Sequence, residues 1–370
     1  MSIKILEIDK KKRIDLINFT RLPYEIYKDY DVWIPPPTSE IIKYLRCKDV
    51  LSKNFSISLF LAYDNNKIVG RCAALVDETY LELKGDDTGF FSFFEVLNGQ
   101  EEAAHQLLSR VEDSLRAEGL KTMRGPYNWG DYGYYLLVDG FSYAPFGSSY
   151  NPPYYKDILL DYGLSKEKEF YSYLIDITKP LPKSLMEKVD ASEQDGVRVR
   201  SIDFKYIKDE ANTLADIIFE VFKDHWGVRP LTLDEIEYML KEIKRFRIPN
   251  FFKIAEIAED PAGILLSLPD FNLMYRKFKG TLGLKQLFQM LYYKSRMNDG
   301  LLFKVGVRQK YRGRGAALLM ATKAIEDMQK WDFKSTEYTL VLEGNIASNA
   351  LAKKLGGEIY KTYWAMGKKL

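Results

Sequence analysis

An α/β chain made of two copies of one mixed-sheet unit is predicted by three features of the sequence. Around residues 305–320 an alternating apolar run breaks into a basic, glycine-spaced loop and then resumes at helical spacing, the pattern of a strand, a tight turn and a helix start. A strand-turn-strand pattern followed by a further strand and a helix occurs once in each half. Finally, 370 residues with 46% apolar content are about twice a common domain and ample for two packed cores.

The elements follow in order. Tyr24, Tyr27, Tyr30 and Trp33 precede Ile34 and three prolines, an extended stretch. Residues 60–77 read as a hairpin, 89–96 as a strand, and Leu107 and Leu108 sit on a helix. Glycine and proline punctuate two aromatic segments, 125–135 and 150–155, which predicts long ordered loops that either carry function or pin themselves to the core. Residues 1–176 form the first unit and 177–196 a linker with a charged helix. The second unit, 197–370, opens on a strand, and 207–222 has helical apolar spacing. His225, Trp226 and Gly227 interrupt it, and the next helix starts with Thr232 and Glu235 spaced as a capping box. A hairpin (253–270), a strand (300–307), the basic loop and its helix, a strand (338–343) and a helix closing at Gly356 and Gly357 complete the chain.

The two halves align. Residues 60–77 lie on 253–270 without a gap, with Ala62, Gly70, Leu75 and Asp77 matching Ala255, Gly263, Leu268 and Asp270. Residues 89–96 lie on 300–307, and Leu107 and Leu108 then meet Leu318 and Leu319 in the same register.

A loop feeding a helix N-terminus leaves backbone N–H groups converging with the positive end of the helix dipole, which attracts phosphate. The nucleotide P-loop needs Lys and then Ser or Thr after its last glycine, and Ala316 and Ala317 follow Gly315. The dinucleotide fingerprint needs a glycine where Leu318 stands. The pattern Arg312-x-x-Gly315-x-Ala317 resembles the Arg/Gln-x-x-Gly-x-Gly/Ala loop of the GNAT acyltransferases. Asn345, Ser348 and Gly356 stand where that family carries Asn-x-x-Ala/Ser and a closing glycine. Short phrases elsewhere, including 89–95, 151–155, 225–227 and 268–272, resemble a bacterial family of tandem GNAT-like proteins along nearly the whole chain.

The resemblance implies an α/β (α+β mixed sheet) fold of two tandem GNAT-like domains, with acetyl-CoA or another acyl-CoA as cosubstrate and no metal. It implies that the amides of Arg312, Gly313, Arg314, Gly315, Ala316 and Ala317 bind the pyrophosphate, that Val305, Gly306 and Val307 hold the pantetheine, and that Asn345 and Ser348 complete the cofactor site. Opposite 312–315 in the first copy stand Glu101, Glu102, Ala103 and Ala104: the two carboxylates suit a helix start but repel a pyrophosphate, and the alanines are larger than glycine, so the cofactor is expected on the second copy alone. One departure stands out: the tyrosine that often follows the asparagine by seven residues is replaced by Ala352. Tyr360 and Tyr363 are substitutes by proximity, or plain strand aromatics.

Composition narrows the classes further. The net charge of +2 supplies no global field for nucleic acid or an anionic membrane, so neither is expected as a partner. Two cysteines and two histidines exclude a disulfide scaffold and a zinc cluster. The first residues lack a signal-peptide core and no apolar run is long enough to span a bilayer, so a cytoplasmic location is expected.

The expected chemistry is attack of a neutral amine on a thioester, which needs an acceptor for the amine proton and donors for the carbonyl oxygen. Glu343 and Asp270 are each a base, an amine ligand or a salt-bridged or capping carboxylate. His225, Trp226 and Asn272 are candidates for the wall around a small amine or amino-acid-like acceptor, His225 and Trp226 being equally readable as structural. Three activities follow: an acyl-CoA dependent N-acyltransferase, a non-catalytic acyl-CoA sensor, and an aminoacyl-tRNA dependent transferase that the intact loop and balanced charge disfavour.

Overall fold

A computed structural model describes residues 3–127, 135–245, 251–294 and 296–370. Its first half runs β1 (Ile3–Ile8), α1 (Arg13–Ile26), α2 (Thr38–Leu45), β2 (Phe55–Asp64), β3 (Lys67–Asp77), α3 (Glu78–Lys84), β4 (Thr88–Val96), α4 (Glu101–Ala117), β5 (Thr122–Tyr127), β6 (Leu136–Asp139), α5 (Tyr155–Asp161) and β7 (Ser165–Asp176). The second runs α6 (Lys183–Gln194), β8 (Val197–Ser201), α7 (Ile207–Phe222), α8 (Leu233–Arg245), β9 (Lys253–Ile257), β10 (Asp260–Pro269), α9 (Asn272–Phe278), α10 (Leu284–Lys294), β11 (Asp299–Val307), α11 (Ala316–Lys330), β12 (Ser335–Leu342), α12 (Ile346–Lys354) and β13 (Glu358–Lys369). Much of the aromatic segment 125–135, namely 128–134, lies outside the described residues.

The chain packs as two compact units. One comprises Met1–Glu169, Met274–Gln289 and Thr362–Leu370, the other Phe170–Leu273 and Met290–Lys361. Sequence patterning places the division at 177–196, but packing moves chain segments across it, because strand partners are chosen by tertiary structure.

In the first unit β1, β2, β3 and β4 are successively antiparallel and β5 joins β4 in parallel. In the second, β8, β9, β10 and β11 are successively antiparallel and β12 joins β11 in parallel. The internal repeat is therefore real at the level of topology. Its hairpins even share their turn: Asn65 and Asn66 have φ of 46° and 70°, and Ala258 and Glu259, at the matching positions, 52° and 64°. Paired left-handed residues make the turn whose twist suits a two-residue hairpin. Asn adopts that region readily, whereas Ala and Glu do so at a cost that the flanking strands offset.

Each unit completes its sheet with a strand from the far side of the repeat. Residues 170–176 of β7 run antiparallel to β12, pairing Tyr173 with Tyr338. The end of β13 runs antiparallel to β5, pairing Met366 with Gly125. The expected capping box is present at α8: the Thr232 N–H donates to Glu235 Oε2 at 2.8 Å, and the Glu235 N–H to Thr232 Oγ1 at 3.4 Å.

The first unit buries a charged cluster at the end of β4. Glu95 accepts from the hydroxyls of Tyr27 (2.9 Å) and Tyr155 (2.7 Å), and Arg71 lies 3.5 Å away with its guanidinium against the rings of Phe19 and Phe93. Burial pushes the Glu95 carboxyl up, and the pull of Arg71 offsets this only in part. A carboxyl raised by folding contributes stability that is present below its unfolded pKa and lost as pH rises through its folded one. Glu95→Gln removes that titration. Its melting temperature, followed by circular dichroism from about pH 4 upward, should therefore fall less with rising pH than that of the parent.

Candidate active site

The site of interest begins where two parallel strands part. β11 pairs with β12 from Asp299 opposite Ser335 to Leu302 opposite Tyr338, and no further. Leu340, with φ of 56°, throws β12 off its line, and pairing resumes on the other side where Val341 meets Tyr171 of β7. Residues 304–307 remain paired with β10, while the β12-facing peptide groups of 303–307 have no strand partner among the described residues. Phe303, Lys304, Val305 and Val307 are half-exposed there. The parting is a slot lined by backbone donors and acceptors, and a chain with amide groups of its own can lie in it. In the first unit the corresponding strands stay tied as far as Ser92, whose hydroxyl donates to the Tyr127 carbonyl at 2.6 Å.

At the end of β11 the chain makes a short 3-10 turn, Gln309–Tyr311, and enters α11 through two left-handed glycines, Gly313 (φ 87°) and Gly315 (φ 79°). Gly315 is the N-cap and has no side chain to offer, so the first-turn amides of Ala316, Ala317 and Leu318 keep their donors. The loop is open to water: Arg312 and Gly313 are exposed, and nothing stands within 4 Å of a Cβ built on Gly313. Gly315 is constrained from within. A Cβ there would meet the Ser192 hydroxyl of α6 at 1.9 Å, so α6, in addition to any close approach of a phosphate, explains why a side chain is excluded.

The cations of the loop divide by partner. Arg314 binds the carboxylate of Asp195 at 2.9 Å, Lys310 binds Asp260 at 2.6 Å, and Arg308 is held by Glu220 and Asp216. Arg312 alone among these has no carboxylate within ion-pair distance among the described residues. Its Nε makes one long bond, 3.3 Å, to the Val307 carbonyl. The structure therefore leaves one arginine beside the unfilled amides.

The first copy differs in backbone as well as charge. α4 begins at Glu101, so Glu101, Glu102, Ala103 and Ala104 form a first helical turn where the second copy has its loop. Ala103 and Ala104 are fully buried. The convergent amides have been wound into a helix headed by two carboxylates.

The other candidates separate clearly. Asn345 caps α12, accepting from the Ser348 N–H at 3.1 Å, and the Ser348 hydroxyl engages Tyr338. Both residues thus have internal partners. α12 closes on Gly356 (φ 81°) with the Gly357 N–H bonded to the Ala352 carbonyl at 2.9 Å, a Schellman end, and Ala352 is buried. Asp270 is buried and accepts from the Asn272 N–H at 3.0 Å, at the start of α9. Its counterpart Asp77 accepts from the Tyr80 N–H at 3.0 Å at the start of α3. In both copies the carboxylate thus accepts a backbone N–H at a helix start, from two residues on at Asp270 and from three residues on at Asp77. Glu343 is exposed at the end of β12, and Tyr360 is half-exposed with the Lys361 ammonium 3.6 Å from its ring. His225 stacks edge-on against Phe222 at 4.9 Å, and Trp226 lies 6.3 Å from Phe170. They follow the end of α7, whose Val221 and Phe222 press on Gly306 of β11.

These features coincide with a known pattern. Residues 216–357 match the model of the acetyltransferase (GNAT) family. That stretch is therefore similar to a GNAT acetyltransferase domain. The matched stretch takes in β11, the basic loop, the slot and α12. The fold of the whole chain is that of a tandem GNAT protein: it superposes on the tandem GNAT protein from the clavulanic acid biosynthesis pathway with a TM-score of 0.57, 10% identity and coverage of 100% of this chain and 98% of that one. It also superposes on a GCN5-related N-acetyltransferase from Sphaerobacter thermophilus with a TM-score of 0.57, 13% identity and coverage of 99% and 95%. In sequence it is 29% identical, over 96% of its own length and 95% of the relative's, to a bacterial ceramide synthase from Caulobacter vibrioides.

Two tyrosines, one on the strand that borders the slot and one on its β7 neighbour, escaped sequence reasoning. Tyr338 occupies the last paired position before the strands part, and burial pushes its hydroxyl up to about 12. Tyr173 donates to Asn349 Oδ1 at 2.6 Å. Both read as ordinary strand aromatics, and only the register of β12 reveals where they stand. Among the described residues no cluster of three or more His, Cys, Asp or Glu could hold a metal.

Proposed function

We propose that the protein transfers a fatty acyl group from acyl-coenzyme A to the primary amine of a long-chain amino alcohol. The observation that carries the acyl-coenzyme A part is the parting of β11 and β12 after Leu302 beside the open loop at 312–317. Arg312 and the amides of Gly313, Arg314, Gly315, Ala316 and Ala317 would hold the pyrophosphate. Val305, Gly306 and Val307 would hold the pantetheine as a further strand. The acceptor class is supported by the relative's name, since a ceramide is a fatty amide of a long-chain amino alcohol. A smaller amine acceptor and acetyl-coenzyme A, the narrower expectation from sequence, are the comparison.

In the transfer the amine nitrogen bonds to the acyl carbon, the carbon–sulfur bond breaks, and the amine loses a proton. Strand amides of 305–307 can donate to the carbonyl oxygen as charge develops. Glu343, exposed at the mouth of β12, can take the amine proton through water. Tyr338 stays protonated at neutral pH and stands on the strand bordering the slot, so it supplies a hydroxyl donor where the position of Ala352 supplies none.

The test is thiol release, measured with a disulfide reagent, from acetyl- and palmitoyl-coenzyme A in the presence of sphinganine or of short amines. Release with the long-chain pair, and an amide product by mass spectrometry, is expected. Tyr338→Phe should slow turnover about a hundredfold without raising KM in proportion. Binding of acyl-coenzyme A with no release for any amine would instead mark a sensor.

A further inference from the structure

The neutral total charge hides a local excess. Between Asp270 and Asp299 there is no acidic residue, and six Lys and Arg side chains occur in that interval. The rest of the chain therefore carries a net −4. Arg276, Lys277, Lys279, Lys285 and Arg296 are all exposed.

Within the same interval α10 displays an apolar stripe. Leu284, Phe288 and Tyr292 recur every four residues, which places them on one face, and they are 78%, 74% and 54% exposed. Among the described residues no other exposed large apolar side chains line up along a helix in this way at such exposure. The turn before the helix is anchored. Gly280 (φ 74°) accepts from the Thr38 N–H at 3.0 Å, and a Cβ there would meet the Tyr24 hydroxyl at 1.9 Å. Tyr275 of α9 stacks on Phe146 at 5.9 Å. A fixed base thus presents a helix whose apolar face points to solvent, with cations on both flanks.

We propose that α10 is a membrane-surface contact that lays Leu284, Phe288 and Tyr292 into the interface of an anionic bilayer while the surrounding cations meet its headgroups. Leu and Phe partition into the acyl boundary, and Tyr suits the interface, where Arg296 already lies 4.2 Å from its ring. Each cation near an anionic surface strengthens the attraction, and salt weakens it. A nucleic acid or acidic protein would satisfy the cations and leave the stripe in water, so a bilayer fits both features at once. α10 has 11 residues, too few to span a bilayer, so the contact proposed lies in the interface plane. The inference stands on α10 and its flanks and is independent of the acyl-transfer reading.

Flotation of the full chain with vesicles tests it. The protein should float with vesicles of phosphatidylcholine and phosphatidylglycerol and stay behind with phosphatidylcholine alone, and high salt should release it. Phe288→Ser should weaken binding about tenfold or more, and Lys277→Gln with Lys285→Gln should weaken it for anionic vesicles. Ile14→Ser, which removes an exposed apolar side chain elsewhere (62% exposed), should leave it unchanged. All four are surface positions, and unchanged thermal unfolding confirms that each variant is folded. Equal flotation with both vesicle types, no flotation, or undiminished binding by Phe288→Ser would overturn the proposal, and binding of that variant to inorganic polyphosphate as tightly as to vesicles would assign the surface to charge alone.

Discussion

Arg312→Glu should weaken coenzyme A binding about a hundredfold while leaving the melting temperature within a degree or so of the parent, because it removes a charge-assisted contact to phosphate and adds a repulsion. The side chain is exposed and makes only one long internal bond, so little else depends on it. Reversing the charges of the first copy, Glu101→Lys with Glu102→Lys, is the matched control and should leave coenzyme A binding unchanged. Calorimetric titration with coenzyme A measures both. Two more obvious substitutions are unsuitable. Gly315→Glu would collide with Ser192, and Ala104→Glu would bury a carboxylate in a packed core, so each would report on folding as well as binding. A loss from the control equal to that from Arg312→Glu would remove the assignment of the cofactor to the second copy.

The largest effect on stability is expected at Glu337 and Lys361. The Lys361 ammonium is fully buried and lies 3.0 Å from Glu337 Oε2, itself buried in the middle of β12. Burial pushes the Glu337 carboxyl up despite Lys361. Glu337→Leu leaves a buried cation without its counter-charge and should cost about 3–5 kcal/mol. Lys361→Met in the same chain should recover most of that loss, since well-packed apolar side chains often replace a buried ion pair at little cost. Chemical denaturation of the two single variants and the double variant closes the cycle. A double variant as unstable as Glu337→Leu would mean that packing in β12, and not the stranded charge, sets the cost.

Local pattern carried much of this structure and failed at identifiable points. The hairpins at 60–77 and 253–270 were legible because alternating apolar residues and a two-residue turn are local, and the structure gives both the same left-handed turn. The loop at 312–317 was legible because glycine spacing and basic residues are also local. Asp270 was ambiguous in sequence, since a carboxylate at a strand end can cap, pair or catalyse. The structure adds that it accepts a backbone N–H at a helix start, as Asp77 does in the first copy. Gly315 shows a different limit: the reason for a glycine lay 123 residues away in Ser192, a distance that no window of pattern spans. The place of Tyr338 beside the slot is set by register against Leu302, and the face of α10 counts only where the turn before it is anchored, and neither is a local pattern.

The borrowed strands have a practical result for anyone dissecting the protein. β12 takes its outer neighbour from residues 170–176, and β5 takes its own from the chain's last residues. No single scission between the repeats can then yield two intact halves: a fragment starting at 197 would carry a naked sheet margin and an ownerless tail, and such margins invite self-association. Gene fusions, truncations and half-molecule assays would therefore sample damaged sheets, and the first copy is held to the second by shared strands whatever it binds.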